Sequence, residues 1–245
     1  MTERAVTAGD VAGFTDIGPV RSENQDAWSA VQLPDGATLL VLADGMGGHP
    51  GGREAATGAL EAAIVAARSG RDDEDRLTAA VRAANESVAG LAARMGGGPG
   101  TTLVLALVRE GRATLANVGD SRAYLVASGS AVQITEDHSW VADEVRAGRI
   151  QRAEIRRHLR RNVITRAVMG EPIAPDLFNV RLDPGSAVLL CSDGVWEPLD
   201  EAGIAAMLSD GEPLEAQVEQ LCRAAVSAGG TDNVTAVAYR EPPQG

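Results

Sequence analysis

The most regular feature of this chain is a series of short, largely apolar runs, separated by segments that contain glycine, proline or aspartate. The run at residues 38–43 stops at Asp44-Gly45, which is typical of a buried β-strand. Similar reasoning predicts further strands at residues 101–108, 112–118, 122–126, 180–182, 186–191 and 233–239. Gly111 and Gly119-Asp120 indicate hairpin turns between neighbouring strands, and Pro184-Gly185 indicates another turn.

A second pattern places apolar residues three or four positions apart and predicts helices. It covers residues 54–68 and 75–94, and it returns between Leu214 and Ala225. Two shorter and more polar helices are predicted at residues 139–148 and 151–157. Because the strands come in consecutive blocks and do not alternate with helices, the pattern favours antiparallel sheets and an α+β fold. No repeat or linker divides the sequence, so we expect a single domain over residues 1–245.

The composition and net charge limit the classes of binding partner that we expect. Hydrophobic residues make up 44% of the 245 residues, which is enough for a large core, and the formal net charge is −12. Such an acidic chain is a poor ligand for nucleic acid or for an anionic membrane, because both require a basic surface. The first ten residues lack the apolar segment of a secretion signal, and no stretch has the length of a membrane span. We therefore expect a soluble, cytoplasmic protein.

Aspartate recurs where the predicted strands end. Asp44-Gly45 and Asp193-Gly194 follow apolar runs, Asp120 and Asp232 lie at strand–turn junctions, and Asp26 adds a fifth. If these ends converge, their carboxylates form a site of hard oxygen ligands, which suits Mg²⁺ or Mn²⁺ better than zinc. Turn formation alone explains any one Asp-Gly pair. The joint pattern favours a metal site.

Eight short segments carry a family resemblance, and they lie at residues 15–26, 43–49, 100–102, 117–122, 135–139, 162–167, 191–194 and 230–234. Together they resemble the metal-dependent PPM/PP2C protein phosphatases in their compact bacterial form. They occur in the order of that family and cover nearly the whole chain. The resemblance implies a four-layer αββα sandwich, in which two antiparallel sheets pack face to face and helices cover each outer face.

The same resemblance implies a site for two divalent cations, Mn²⁺ or Mg²⁺. Asp44 would bridge both ions and the Gly45 carbonyl would bind one of them. Asp193 and Asp232 would complete the shell of the other ion, and Asp26 would act through ordered water molecules. Two such cations lower the pKa of a shared water toward neutrality.

The implied reaction is hydrolysis of phosphoserine or phosphothreonine in proteins, by direct attack of a metal-bridged hydroxide and without a covalent enzyme intermediate. Arg21 would hold the substrate phosphate, since guanidinium forms paired hydrogen bonds with phosphate oxygens. The expected partners are a serine/threonine kinase or its phosphorylated targets, and we expect a monomer. Two alternatives remain: a non-catalytic phosphoprotein-binding or regulatory member, and a phosphatase of small phosphate esters.

Departures from the family pattern concern the general acid and a third metal. Met46 stands where eukaryotic relatives have a histidine, so His49 becomes an alternative catalytic residue or a structural one. Asp120 matches a ligand of a third, weak metal site, and Glu197 replaces the aspartate expected beside it. The other interpretation of Asp120 is a turn residue paired with Arg122.

Residues 138–161 resemble the flap subdomain of the family. They contain seven arginines, at positions 146, 149, 152, 156, 157, 160 and 161. These charges either attract phosphorylated substrate or form ion pairs along a solvated helix with Asp143, Glu144 and Glu154. The composition slightly favours the second interpretation.

Overall fold

The computed structural model describes residues 10–46, 51–208 and 211–243. The strands in these residues are β1 Asp10–Asp16, β2 Asp26–Gln32, β3 Thr38–Asp44, β4 Leu103–Arg109, β5 Arg112–Val118, β6 Arg122–Ala127, β7 Ser130–Gln133, β8 Asp176–Arg181, β9 Ala187–Cys191 and β10 Val234–Arg240. The helices are α1 Gly52–Ala66, α2 Asp73–Met95, α3 Trp140–Arg146, α4 Asp193–Trp196, α5 Glu201–Met207 and α6 Leu214–Ser227, with a 3-10 helix at Arg152–Arg157.

The strands form two five-stranded antiparallel sheets. One sheet has the order β1-β10-β9-β6-β7 and the other has the order β2-β3-β4-β5-β8. Buried side chains of both sheets, such as Leu42 and Leu190, form one shared core between them. A second core lies under α1 and α2, and a third lies under α4, α5 and α6. The predicted α+β sandwich with helices on both outer faces is confirmed.

The structure explains why β3 is apolar throughout. Leu39 and Val41 face α1 and α2, whereas Leu40 and Leu42 face the other sheet. Successive side chains of a strand point to opposite faces, so a strand covered on both faces needs apolar residues at every position. The strand predicted at residues 38–43 is confirmed for this reason.

Of the three turns predicted between strands, one joins strands of the same sheet and two join strands of different sheets. The hairpin at Gly111 is confirmed, because β4 and β5 pair with each other. The hairpin predicted at Gly119-Asp120 is wrong, because β5 and β6 lie in different sheets and the chain crosses between them. The turn at Pro184-Gly185 likewise connects β8 in one sheet to β9 in the other. These crossings bring ends of strands from both sheets together.

None of the helices in the described part of the chain combines the length and the apolar character needed to cross a membrane.

Candidate metal centre

Asp26 and Asp44 face each other at one end of the sheet with the order β2-β3-β4-β5-β8. They are direct register partners, with Asp26 opening β2 and Asp44 closing β3. Two threonines fix the backbone of Asp44: Thr102 Oγ1 accepts from its N–H at 3.0 Å, and Thr101 Oγ1 donates to its carbonyl at 2.9 Å. Directly opposed residues have Cβ atoms about 4.5–5.5 Å apart. The pairing therefore holds the two carboxyl groups close together.

A buried serine connects this pair of aspartates to the other sheet, which contains β9 and β10. Ser192 precedes Asp193, and its Oγ lies 2.9 Å from Asp26 Oδ2. The same Oγ accepts the backbone N–H of Thr235 at 3.1 Å, so the hydroxyl proton is left for Asp26. The other carboxylate oxygen of Asp26, Oδ1, is buried and has no hydrogen-bond partner among the described residues. The sequence motif contained Ser192, but its positioning role was not predicted.

The pKa values show that the aspartates share one region. Burial, the first cause in each case, raises the pKa of Asp26 to about 6 and that of Asp120 to about 7. Burial also raises the pKa values of Asp44 and Asp193 well above their usual range. Next in importance for Asp44 are the negative charges of Asp26, Asp193, Asp120 and Asp232. All five predicted aspartates are therefore brought within electrostatic reach of one another.

The carboxylates are neighbours without forming a complete cage. Within residues 10–46, 51–208 and 211–243, no group of three or more His, Cys, Asp or Glu side chains is already arranged to hold a metal ion. Mutual repulsion opposes such an arrangement, because like charges in a low dielectric interact strongly. The donor set still fits Mg²⁺ or Mn²⁺. Its atoms are hard oxygens, and Oδ1 of Asp26 is a buried acceptor to which no residue in the described part of the chain donates.

Two other segments of the chain pack closely against the backbone of Gly45. A Cβ atom at Gly45 would lie 2.4 Å from the Gly52 carbonyl oxygen and 2.7 Å from the Gln25 carbonyl oxygen. Only glycine therefore fits between these chain segments. His49, the predicted alternative catalytic residue, lies outside the described residues.

Arg21 lies at the edge of this region. Its Nη2 is 2.5 Å from Asp232 Oδ2, and its side chain is 39% exposed. The loop that carries Arg21 is held by Asn233, whose Nδ2 donates to the carbonyls of Ile17 at 2.8 Å and Glu23 at 3.0 Å. Arg21 is thus held by an ion pair with Asp232, while part of its side chain is exposed to solvent. Asn233 is a positioning residue that sequence reasoning missed, although it follows Asp232 directly.

The surroundings of Asp120 correct one expectation. Arg122 does not form its ion pair with Asp120; its Nη2 lies 2.6 Å from Asp137 Oδ2. Glu197, half-buried, accepts from Arg161 Nε at 3.1 Å. The negative charge of Glu197 contributes to the raised pKa of Asp120. Asp120 and Glu197 therefore lie within electrostatic reach of each other, and Glu197 is linked to the segment predicted as the flap.

His138 is a second residue that the sequence motifs contained but whose role was not recognised. Its Nδ1 accepts the backbone N–H of Gly119 at 3.0 Å, and its Nε2 lies 3.1 Å from Asp176 Oδ2. Burial lowers the pKa of His138. A neutral imidazole with its proton on Nε2 satisfies both contacts. His138 therefore anchors the crossing that carries Asp120.

Most arginines in residues 138–161 have partners within the chain. Arg146 Nη1 lies 2.9 Å from Glu136 Oε2, and Arg149 contacts Glu144 through two hydrogen bonds. Arg156 donates to the Leu199 carbonyl at 2.9 Å. These contacts support ion pairing as the main role of the arginines. Glu154 instead accepts from the backbone of Gln151 and caps the 3-10 helix.

Comparison with known proteins agrees with this architecture. A family model described as Protein phosphatase 2C matches residues 20–236. The chain is 37% identical to the serine/threonine protein phosphatase PstP of Mycobacterium tuberculosis over 235 residues, which are 92% of this chain but 44% of PstP. It thus spans less than half of that relative. It is 33% identical to the serine/threonine phosphatase stp of Listeria innocua, covering 90% of this chain and 91% of that protein.

A solved structure extends the similarity to the fold. The catalytic domain of the serine/threonine protein phosphatase PstP, crystallised with two manganese ions, superposes with a TM-score of 0.83 at 34% identity, covering 95% of this chain and 97% of the other. The paired sheets, the outer helices and the aspartates at the strand ends are thus found in a chain that the family model matches along most of its length. This chain belongs to the protein phosphatase 2C family.

Proposed function

We propose that this protein hydrolyses phosphoserine and phosphothreonine in proteins with the help of two divalent cations, Mn²⁺ or Mg²⁺. The observation that carries this proposal is the convergence of aspartates from both sheets around Asp44, with Arg21 beside them. The family membership and the two manganese ions of the PstP catalytic domain support it.

Each residue of the cluster receives a role in this proposal. Asp44 would bridge the two cations and the Gly45 carbonyl would bind one of them, while Asp193 and Asp232 would hold the other. Asp26, kept in orientation by Ser192, would accept hydrogen bonds from water through Oδ1, to which none of the described residues donates. When bound, the cations polarise the phosphate and lower the pKa of water.

Arg21 would bind the phosphate of the substrate. One of its terminal nitrogens contacts Asp232, and guanidinium has five N–H donors in a fixed fork. The remaining donors are available to phosphate oxygens in a charge-assisted geometry. This arrangement would hold the phosphate beside Asp232 and orient it.

Asp120 and Glu197 would form a weak third metal site in the same proposal. We also assign residues 1–245 to one catalytic domain, with a flap at about 138–161. We infer a monomer located in the cytoplasm that acts on a serine/threonine kinase or on the targets of such a kinase. A non-catalytic member is not favoured, because Asp44, Asp193 and Asp232 are all present.

The test compares phosphopeptides that differ only in the phosphorylated residue. Hydrolysis of phosphoserine and phosphothreonine peptides should require Mn²⁺ or Mg²⁺ and stop with EDTA, while the phosphotyrosine peptide should be a much poorer substrate. Phosphate release measures all three. Equal rates with and without EDTA would contradict the metal mechanism, and a binding signal without phosphate release would support the regulatory alternative.

Replacing Arg21 by alanine should mainly weaken substrate binding. Loss of a charge-assisted contact of about 2–3 kcal/mol predicts a KM that rises roughly 30- to 150-fold for p-nitrophenyl phosphate. Initial rates over a range of substrate concentrations separate KM from kcat. Arg82→Ala is a matched control, because Arg82 is exposed on α2 and makes no ion pair with a described residue. An unchanged KM in the Arg21 variant would remove Arg21 from the phosphate site.

A further inference from the structure

The loop between β1 and β2, which carries Arg21, also presents two apolar side chains to solvent. Val20 is 67% exposed and Ile17 is 40% exposed. Single exposed apolar residues are common on protein surfaces and need no explanation. These two differ in their position, because they lie on the same short loop as the residue assigned to the substrate phosphate.

The loop is held firmly in place against the aspartate cluster. Gly18 has φ of 73° and donates its N–H to Asp16 Oδ1 at 2.7 Å. A Cβ atom on Gly18 would lie only 2.1 Å from the Asp232 carbonyl oxygen, so the loop packs directly on this residue. Asn233 also binds the Ile17 carbonyl. The exposure of Val20 and Ile17 is therefore a feature of a fixed surface.

Val20 is the residue directly before Arg21 in the chain. The Cα atoms of Val20 and Arg21 are therefore about 3.8 Å apart. A peptide whose phosphate binds Arg21 must carry its neighbouring residues across the surface next to that arginine. Covering an exposed aliphatic side chain removes apolar area from water, which favours binding. An aliphatic residue next to the phosphorylated one would obtain this contact, and a polar residue would not.

We propose that Val20 and Ile17 determine specificity by selecting phosphopeptides with an aliphatic residue next to the phosphoserine or phosphothreonine. This inference rests on the proposed function and narrows its substrate class.

The experiment uses two phosphothreonine peptides that differ only in the residues flanking the phosphothreonine, leucine in one and glutamine in the other. Wild type should prefer the leucine peptide in kcat/KM. Val20→Gln and Ile17→Gln should each reduce this preference, by about five-fold for Val20→Gln, the effect of losing roughly 40 Å² of apolar contact. Activity on p-nitrophenyl phosphate, which has no flanking residues, should stay within about two-fold of wild type, because the contact lies outside the phosphate site.

Val65→Gln is the matched control. Val65 is also 67% exposed, but it lies near the C-terminal end of α1, so it shares the chemistry of Val20 without its position. The control should keep the wild-type preference. Equal kcat/KM for the two peptides in wild type would overturn the inference, and so would an equal change in the Val65 and Val20 variants. Failure of wild type to hydrolyse p-nitrophenyl phosphate with Mn²⁺ would instead overturn the proposed function itself.

Discussion

Asp193→Asn and Asp44→Asn should each lower Mn²⁺-dependent hydrolysis of p-nitrophenyl phosphate by about 10³-fold or more. Both carboxylates would hold cations, and losing about 4 kcal/mol of charge stabilisation in the transition state corresponds to a factor of roughly 10³. Asparagine retains the shape of aspartate, so the change removes charge with little effect on packing. Steady-state kinetics with saturating Mn²⁺ measure the loss.

The same substitutions should leave the metal-free protein as stable as wild type or more stable. Burial and the surrounding carboxylates disfavour the charged forms of Asp44 and Asp193 in the folded state. A neutral amide removes this repulsion, so the Tm measured in EDTA should stay constant or rise. Asp183→Asn, at an exposed aspartate outside the cluster, is the control and should retain full activity. Wild-type turnover in either cluster variant would refute the assigned site.

Asp137→Ala should be among the most destabilising single substitutions in this protein. Arg122 and Asp137 form an ion pair in which each side chain is only 5% exposed, and the Arg122 guanidinium lies 3.5 Å from the centre of the Trp196 ring. Removing one partner leaves a buried charge without compensation, which costs about 3–5 kcal/mol. For a chain of this size, Tm should fall by roughly 6–20 °C. Thermal unfolding followed by circular dichroism measures the change.

An exposed ion pair provides the comparison. Glu219 and Arg223 pair on α6 with side chains that are 38% and 71% exposed. Glu219→Ala should change stability by less than about 1 kcal/mol, because exposed pairs contribute little. The double variant Arg122→Met, Asp137→Leu should recover much of the stability lost in Asp137→Ala, since it leaves no unpaired buried charge. Equal Tm values for Asp137→Ala and Glu219→Ala would contradict this account.

Buried strands were predictable because a strand that is covered on both faces has apolar residues at consecutive positions. β3, β4 and β9 are covered on both faces or nearly so, and their sequences are apolar at almost every position. The edge strands β1 and β2 were not assigned from the pattern. Both contain half-exposed residues and a mixture of polar and apolar side chains, which does not separate a strand from a loop.

The candidate site was predictable where a residue carries its own chemistry. Aspartate after an apolar run has a recognisable meaning, and the five aspartates lie in one region. Ser192, Asn233 and His138 were missed as positioning residues because their roles depend on distant partners. Asn233 holds a loop 210 residues away in the chain, and His138 binds a backbone N–H 19 residues away. No local pattern encodes such contacts.

The sequence by itself determined the antiparallel α+β class, the buried strands and which aspartates to consider as metal ligands, because burial and charge act on each residue locally. Only the tertiary structure decided that Gly119-Asp120 crosses between the sheets, that Arg122 pairs with Asp137, and that Arg21 pairs with Asp232. Turn residues permit a hairpin and a crossing equally well, and an ion pair forms with whichever carboxylate the fold brings nearest. These choices are made by the packing of the two sheets as a whole.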